Sequence, residues 1–549
     1  MKPPTANRQL PTLAIIATAL GVRLFATWKL GGLPISQTPQ LDSAEYLAWA
    51  RQIAEHGFFW PPYPEHAPGY PFFAAALLAL SGGALMAIRI AQSILGALAC
   101  VLTARVAART LTPAAFLPAG LLMAAYGPLI YIDTAILAES LLVFLLVWSL
   151  DLATVAGRDH MRWMFCGLVA GAAATVRPTA LIVIAAYAAV IVLREKKHRA
   201  KLAGALIGGA LVCVAPVVIQ NWRTSGVPMV QAYGGMNFYL GNRPSGDGGA
   251  RARLGGEWDQ LEGEASRAAN TRNDQDRYYT QKALNEIADR PGAYFGLVAS
   301  KLVWTFENEE LRDTHSYYFF ADRLPLLKWL PSFAWIIALA VVGVAMFRSP
   351  TRVWLLAYAL AIVVTTVFLV LGTRYRIPLV PAVIAFAGAG VTAILDSVRA
   401  RNWKQAGTLV GAAAFVWVLS DLRHDAPSRS LAEEWAFTGL ALLQADNTQD
   451  AEAAYRTAIG LDDSSFAWDG LGLVLQRRTL RNDAREAFER AVQINPKNAT
   501  AWLHLGLAYE FVANPRAAID AYQRSLSITP QRTDAREVYE GALRRYRDR

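Results

Sequence analysis

The sequence predicts an all-α protein: a polytopic membrane helix bundle followed by an α-solenoid. Three observations predict it. The chain of 549 residues is 54% hydrophobic and only 17% charged. Apolar runs of about 20 residues, enough to cross roughly 30 Å of hydrocarbon, recur from Leu10 to Ser420. Beyond Asp421 the composition turns polar and charged, and Trp435, Trp468 and Trp502 stand 33 and 34 residues apart. The expected boundaries are 1–420 for the membrane domain, 421–430 for a linker and 431–549 for the repeats.

The apolar runs, such as 84–106, 202–219, 329–346 and 353–371, do not alternate polar and apolar faces as soluble core helices do. Residues 10–28 carry Arg23 and lack a small-residue cleavage pattern before Lys29, so they read as a retained span. Basic clusters mark the cytoplasmic loops: Arg105/Arg109, Arg158/Arg162, Arg194 to Arg199, Arg348/Arg352 and Arg399/Arg401/Lys404. About eleven spans result, and with a cytoplasmic N-terminus everything after Asp421 lies outside. The expected location is a bacterial-type inner (plasma) membrane. The net charge of +10 is largely accounted for by the cytoplasmic clusters, which argues against nucleic acid as a partner. Cys100, Cys166 and Cys213 sit inside apolar runs and read as small buried hydrophobes. No metal-ligand spacing is present, and no cofactor, a divalent metal included, is indicated.

The tail carries the tetratricopeptide pattern. One repeat shows Trp468, Leu471-Gly472, Ala484, Phe488, Ala491 and Pro496; the next shows Trp502, Leu505-Gly506, Tyr509, Ala518, Tyr522 and Pro530; the first, from Trp435, is looser. Such an array presents a curved surface for a protein partner. It is expected to fold apart from the bundle. Arg544-Arg545-Tyr546-Arg547 reads as a solvated helix face or a membrane-surface contact.

Two long segments besides the tail lie outside, 29–81 and 221–326, and loops of that length are usually functional. In the first, Tyr46, Trp49 and Ile53 share one face of an interfacial helix. Asp42 falls at its N-cap with Glu45 three residues on, a capping-box pattern that does not exclude catalysis. His66-Ala-Pro68-Gly69-Tyr70-Pro71 makes a bend, and His66 is a surface histidine or a contact to an anionic ligand. Asp133 and Glu139 stand at the outer ends of apolar helices, Asp133 as a cap and Glu139 deeper, where a carboxylate needs a partner. Arg177-Pro178 and Arg374-Tyr375-Arg376-Ile377-Pro378 also lie outside, against the charge bias, and cations converging opposite acids suit a phosphate-bearing ligand. Lys301 reads as interfacial, a snorkelling lysine or a further phosphate contact. The stretch from Tyr233 to Pro244 lacks the Gly-Lys-Ser/Thr of a nucleotide loop and reads as sugar- or lipid-facing. An amphipathic helix is expected over 276–289.

This order of features over 22–400 resembles the GT-C glycosyltransferases of the protein O-mannosyltransferase and lipid A aminoarabinose transferase type. The resemblance implies a polyprenyl-phosphate-linked sugar donor and inverting transfer at the outer leaflet. It implies Asp42 as the base, Asp133 or Glu139 as the second-loop acid, and Arg374 and Arg376 near the lipid phosphate. Two features depart from the pattern. The mannosyltransferases proper carry adjacent Asp-Glu where Asp42 is followed by Ser43, and the aminoarabinose transferases carry Lys-Pro-Pro where this chain has His66-Ala67-Pro68. A histidine there makes phosphate binding partly pH-dependent.

The expected function is therefore transfer of a sugar from a polyprenyl-phosphate donor to an extracytoplasmic protein, lipid or glycan. A polysaccharide polymerase or ligase uses the same donors and is the second enzyme class. A transporter of lipid-linked saccharides would show inverted repeats, and none is found.

Overall fold

In hydrocarbon every backbone N–H and C=O needs an internal partner, so apolar runs of this length close as helices. The structure, a computed structural model, describes residues 9–244, 246, 255–312, 314–421 and 431–546; among these its regular structure is helical, with no strand. In chain order the bundle contains α1 (Gln9–Gly31), α2 (Pro34–Gln37), α3 (Asp42–His56), α4 (Gly69–Ser81), α5 (Leu85–Thr110), α6 (Phe116–Ala124), α7 (Gly127–Thr134), α8 (Glu139–Ala156), α9 (His160–Val176), α10 (Ala180–Arg194) and α11 (Arg199–Ser225). The second long connection holds α12 (Gly234–Asn242), α13 (Glu257–Ala268), α14 (Arg272–Asp289), α15 (Pro291–Thr305) and α16 (Tyr317–Arg323). The chain then returns through α17 (Phe333–Met346), α18 (Arg352–Phe368), α19 (Thr373–Arg376), α20 (Val380–Arg399) and α21 (Trp403–Ser420).

Among the described residues six segments are long and apolar enough to cross a bilayer, against the eleven or so expected; they are α1, α5, α8, α11, Pro325–Met346 and Thr373–Arg399. A seventh forms if Pro113–Ala124 and Gly127–Thr134, bent by 55°, count as one broken span. Gly127-Pro128 explains the bend, because proline lacks the N–H that would continue the helix. α4, α10 and α18 are apolar but shorter. Helices α9 and α11 approach backbone to backbone, since a Cβ at Gly167 or Gly209 would overlap the carbonyl oxygen of Leu206 or Met164.

The tail forms α22 (Ala432–Gln444), α23 (Thr448–Leu461), α24 (Ser465–Arg477), α25 (Arg481–Ile494), α26 (Ala499–Phe511), α27 (Pro515–Ile528) and α28 (Thr533–Tyr546), three helix pairs and a final helix. Phe488 packs over Gly472 and Tyr522 over Gly506, so the small residue in one helix makes room for the aromatic of its partner. The array packs against the bundle. Phe437 belongs to the bundle's own apolar core, and Leu431, Trp435, Leu440 and Phe466 pack on it. The cause lies in α22, which is apolar on two sides: Ala436 and Leu443 belong to the repeat core, Phe437 to the bundle core, and Trp435 and Leu440 pack on both. Asp421 accepts a hydrogen bond from Asn308 Nδ2 at 2.7 Å; the rest of the expected linker, 422–430, lies outside the described residues, as does Arg547.

Candidate functional site

Asp42 opens α3. Leu41 before it has φ of 56°, a left-handed value that a non-glycine residue holds only where its surroundings enforce it. The expected capping box does not form: no side chain caps this helix. Instead Asp42 Oδ2 accepts from Arg374 Nη1 at 2.7 Å, and Glu45 Oε2 meets His66 Nε2 at 2.6 Å. A guanidinium outcompetes a backbone N–H for a carboxylate because both partners carry charge.

Glu139 is the first residue of α8, yet it is only 1% exposed. Its Oε1 accepts from Arg177 Nη2 at 2.5 Å and lies 3.7 Å from Arg374 Nε. Its Oε2 is buried without a hydrogen-bond partner. Arg177 is delivered by the end of α9, just before Pro178, and Arg374 by the short α19. The ring of Tyr375 lies 5.4 Å from the Arg177 guanidinium and 5.7 Å from that of Arg374. The result is an alternating chain of charge, Asp42, Arg374, Glu139, Arg177. The Tyr46 ring lies tilted against His66, centroids 4.5 Å apart, and meets Tyr70 edge-on at 5.0 Å, so an aromatic wall backs the acids. Burial alone would push the Asp42 carboxyl up; the Arg374 guanidinium, with His66 and Arg177 beyond it, outweighs burial and holds the group well below the usual carboxylate range.

A cavity of about 470 Å³ opens beside this chain of charge. Glu139, Arg177 and Arg374 form its polar end; Leu142, Leu146, Val214, Val218 and Ile362 line its apolar depth. Three other expected site residues are elsewhere. Asp133 turns into the bundle, where its Oδ2 accepts from Arg23 Nε at 2.7 Å. Arg376 spends its donors on the carbonyls of Glu307 and Glu309 and on Glu310 Oε2 at 2.7 Å. Lys301 is fully buried and does not snorkel: its Nζ donates to the carbonyls of Gly241 and Leu369 at 3.0 and 3.2 Å. With neutral acceptors only at hydrogen-bonding distance, burial pushes the Lys301 ammonium down to about 8. Sequence reasoning missed Glu310, which accepts from Tyr126, Thr373 and Arg376 at once. The Glu309-Glu310 doublet beside an apolar helix was its one visible signal. Among the described residues no group of three or more His, Cys, Asp or Glu is placed to hold a metal ion.

Fold and site together define a helical membrane protein with a charged cluster at the mouth of an apolar cavity and a helical-repeat tail. Residues 65–220 match the family model for the dolichyl-phosphate-mannose-protein mannosyltransferases, and residues 499–532 match that for the tetratricopeptide repeat. The chain thus combines a segment similar to the dolichyl-phosphate-mannose-protein mannosyltransferases with a C-terminal tetratricopeptide repeat. The matched segment contains His66, Asp133, Glu139 and Arg177, while Asp42 and Arg374 lie outside it. Among curated proteins, the chain is similar to a probable UDP-N-acetylglucosamine–peptide N-acetylglucosaminyltransferase SPINDLY of Hordeum vulgare, 35% identical over 16% of this chain and 9% of that protein. It is similar also to anaphase-promoting complex subunit 3 of Schizosaccharomyces pombe, 29% identical over 16% of this chain and 13% of that protein. The chain therefore spans about a tenth of the length of the curated relatives it matches. Similar solved structures include the Sgt2 tetratricopeptide domain of Aspergillus fumigatus, with 19% identity, a TM-score of 0.21 and coverage of 21% of this chain and 80% of that one. A MamA protein matches with 21% identity, a TM-score of 0.20 and coverage of 28% and 79%.

Proposed function

We propose that this protein is a membrane glycosyltransferase that moves a sugar from a polyprenyl-phosphate donor to a hydroxyl of an extracytoplasmic acceptor, with inversion. One observation carries the reading: the cavity is apolar in depth and ends in two guanidiniums and a buried carboxylate, with Asp42 held on the far side of Arg374. An isoprenoid chain suits the apolar wall and its phosphate suits the arginines. The family similarity over 65–220 points the same way. Exposed tryptophans at the ends of the bundle, Trp28, Trp222, Trp329 and Trp403, support a bilayer around it. The basic loops at the end opposite Asp42 support an extracytoplasmic site in a bacterial-type plasma membrane.

Two carboxylates balance two guanidiniums in the free site. An entering phosphate competes with Asp42 for Arg374. As Arg374 turns toward the phosphate, Asp42 loses the cation that depresses its basicity and becomes a better base. The acceptor oxygen then attacks the anomeric carbon from the face opposite the phosphate. Its proton passes to Asp42, and the electron pair of the breaking carbon–oxygen bond leaves on the phosphate. Proton removal contributes typically 10²–10⁴-fold. Arg177 and Arg374 stabilise the phosphate as its charge grows. Glu139 Oε2 is the oxygen left to accept from a ligand hydroxyl. The test is release of polyprenyl phosphate from a panel of polyprenyl-phosphate sugars by protein in proteoliposomes. Turnover only with nucleotide sugars contradicts the reading.

A further inference from the structure

The tail is tied to the site through buried charge. Arg312, in the connection between α15 and α16, pairs with two carboxylates of α22: Nη2 with Glu433 Oε2 and Nε with Glu434 Oε1, each at 2.8 Å. Glu434 is 0% exposed, and its Oε1 also accepts the backbone N–H of Ser316 at 2.9 Å. Around them Trp435 meets Phe319 edge-on, Arg323 lies over both rings, and Phe437 meets His315. The connection so held is the one that holds the arginine segment. Leu311 O accepts the N–H of Thr373, and Glu310 accepts from Thr373 Oγ1 and Arg376. Arg374 follows directly and reaches Asp42. On the other side Gln40 Nε2, two residues before Asp42, donates to Gln444 Oε1 at 3.0 Å at the end of α22. A buried ion cluster is a costly element to place at a mere tether, because each charge must be taken out of water.

We propose that α22 is a strut: Glu433 and Glu434, through Arg312 and Ser316, are positioning residues that hold Arg374 against Asp42, so the repeat array acts in cis on the donor site. This rests on the reading of Arg374 as a donor-phosphate ligand. The experiment compares full-length wild type with Glu434→Gln, Arg312→Lys and, as a distal control, Glu510→Gln, which breaks only the exposed pair with Arg545. Each is measured for hydrogen exchange of peptides covering 306–316 and 370–377, and for steady-state kinetics with polyprenyl-phosphate mannose as donor. Glu434→Gln is expected to speed exchange in both peptides and to raise the donor KM by about 10- to 100-fold, with the acceptor KM changed less than twofold. Arg312→Lys keeps the charge and is expected to fall between it and wild type; Glu510→Gln is expected to match wild type. Should Glu434→Gln not fold, Arg312→Lys is judged by the same two readouts. Unchanged exchange in a folded variant overturns the strut. Faster exchange with an unchanged donor KM keeps the strut and removes the phosphate role of Arg374.

Discussion

The arginines of the Arg-Tyr-Arg sequence look alike in the chain and differ in surroundings. Arg374 lines the cavity and touches two carboxylates, whereas Arg376 is sealed against Glu310 and two carbonyls. Arg374→Ala is therefore expected to raise the donor KM at least about tenfold while the protein stays folded, because a charge-assisted phosphate contact is lost. Arg376→Ala leaves Glu310 buried without its cation and is expected to cost about 3–5 kcal/mol of stability instead, read by thermal unfolding. Lys301 gives a pH signature of its own. Its folded value of about 8 lies below the ordinary 10.5, so the unfolded chain binds more protons between the two. Stability is expected to rise with pH from about 8 to about 10.5 in wild type, and the rise is expected to vanish in Lys301→Met. Asp42 is shifted in the same direction, its depressed value keeping it ionised in the free site through mildly acid pH. If phosphate takes Arg374 from it, the acid limb of kcat moves to higher pH than that of kcat/KM, since kcat reports the donor complex.

Helices with a strong local period were legible; contacts across the chain were not. The span at 202–219 lies inside α11, the amphipathic helix at 276–289 lies inside α14, and the tail repeats emerged from tryptophan spacing and the small, aromatic and proline positions between. Each rests on composition or periodicity within one helix or repeat. The pairing of Asp42 with Arg374 joins residues 332 apart, and no local pattern encodes it. Asp133 reads as a cap and Glu139 as a carboxylate in need of a partner, and nothing nearby says that Arg23 takes one and Arg177 the other. The docking of α22 was hidden because its apolar positions satisfy a repeat core and a bundle core at once. At this scale the backbone-to-backbone contact of α9 with α11 tolerates no added side chain. Gly209→Leu would drive a side chain into the α9 backbone, and is expected to lower the unfolding temperature markedly or prevent insertion.

The molecule as a whole places its charged chemistry at one end of an apolar bundle and its basic loops at the other. A cysteine at exposed Asp462 is expected to react with a membrane-impermeant maleimide from the outside, and one at exposed Lys197 only after the inner membrane is opened. The reverse pattern would move the site to the cytoplasm. The central claim is that sugar leaves a polyprenyl phosphate at this cluster with Asp42 taking the acceptor proton. Its most direct measurement is sugar transfer by wild type and Asp42→Asn in the same proteoliposomes, alongside donor binding. The amide keeps the shape but cannot accept the proton, so donor binding should persist while transfer falls by about 10²–10⁴-fold. Transfer by Asp42→Asn at near the wild-type rate would contradict the account and leave Asp42 a structural partner of Arg374.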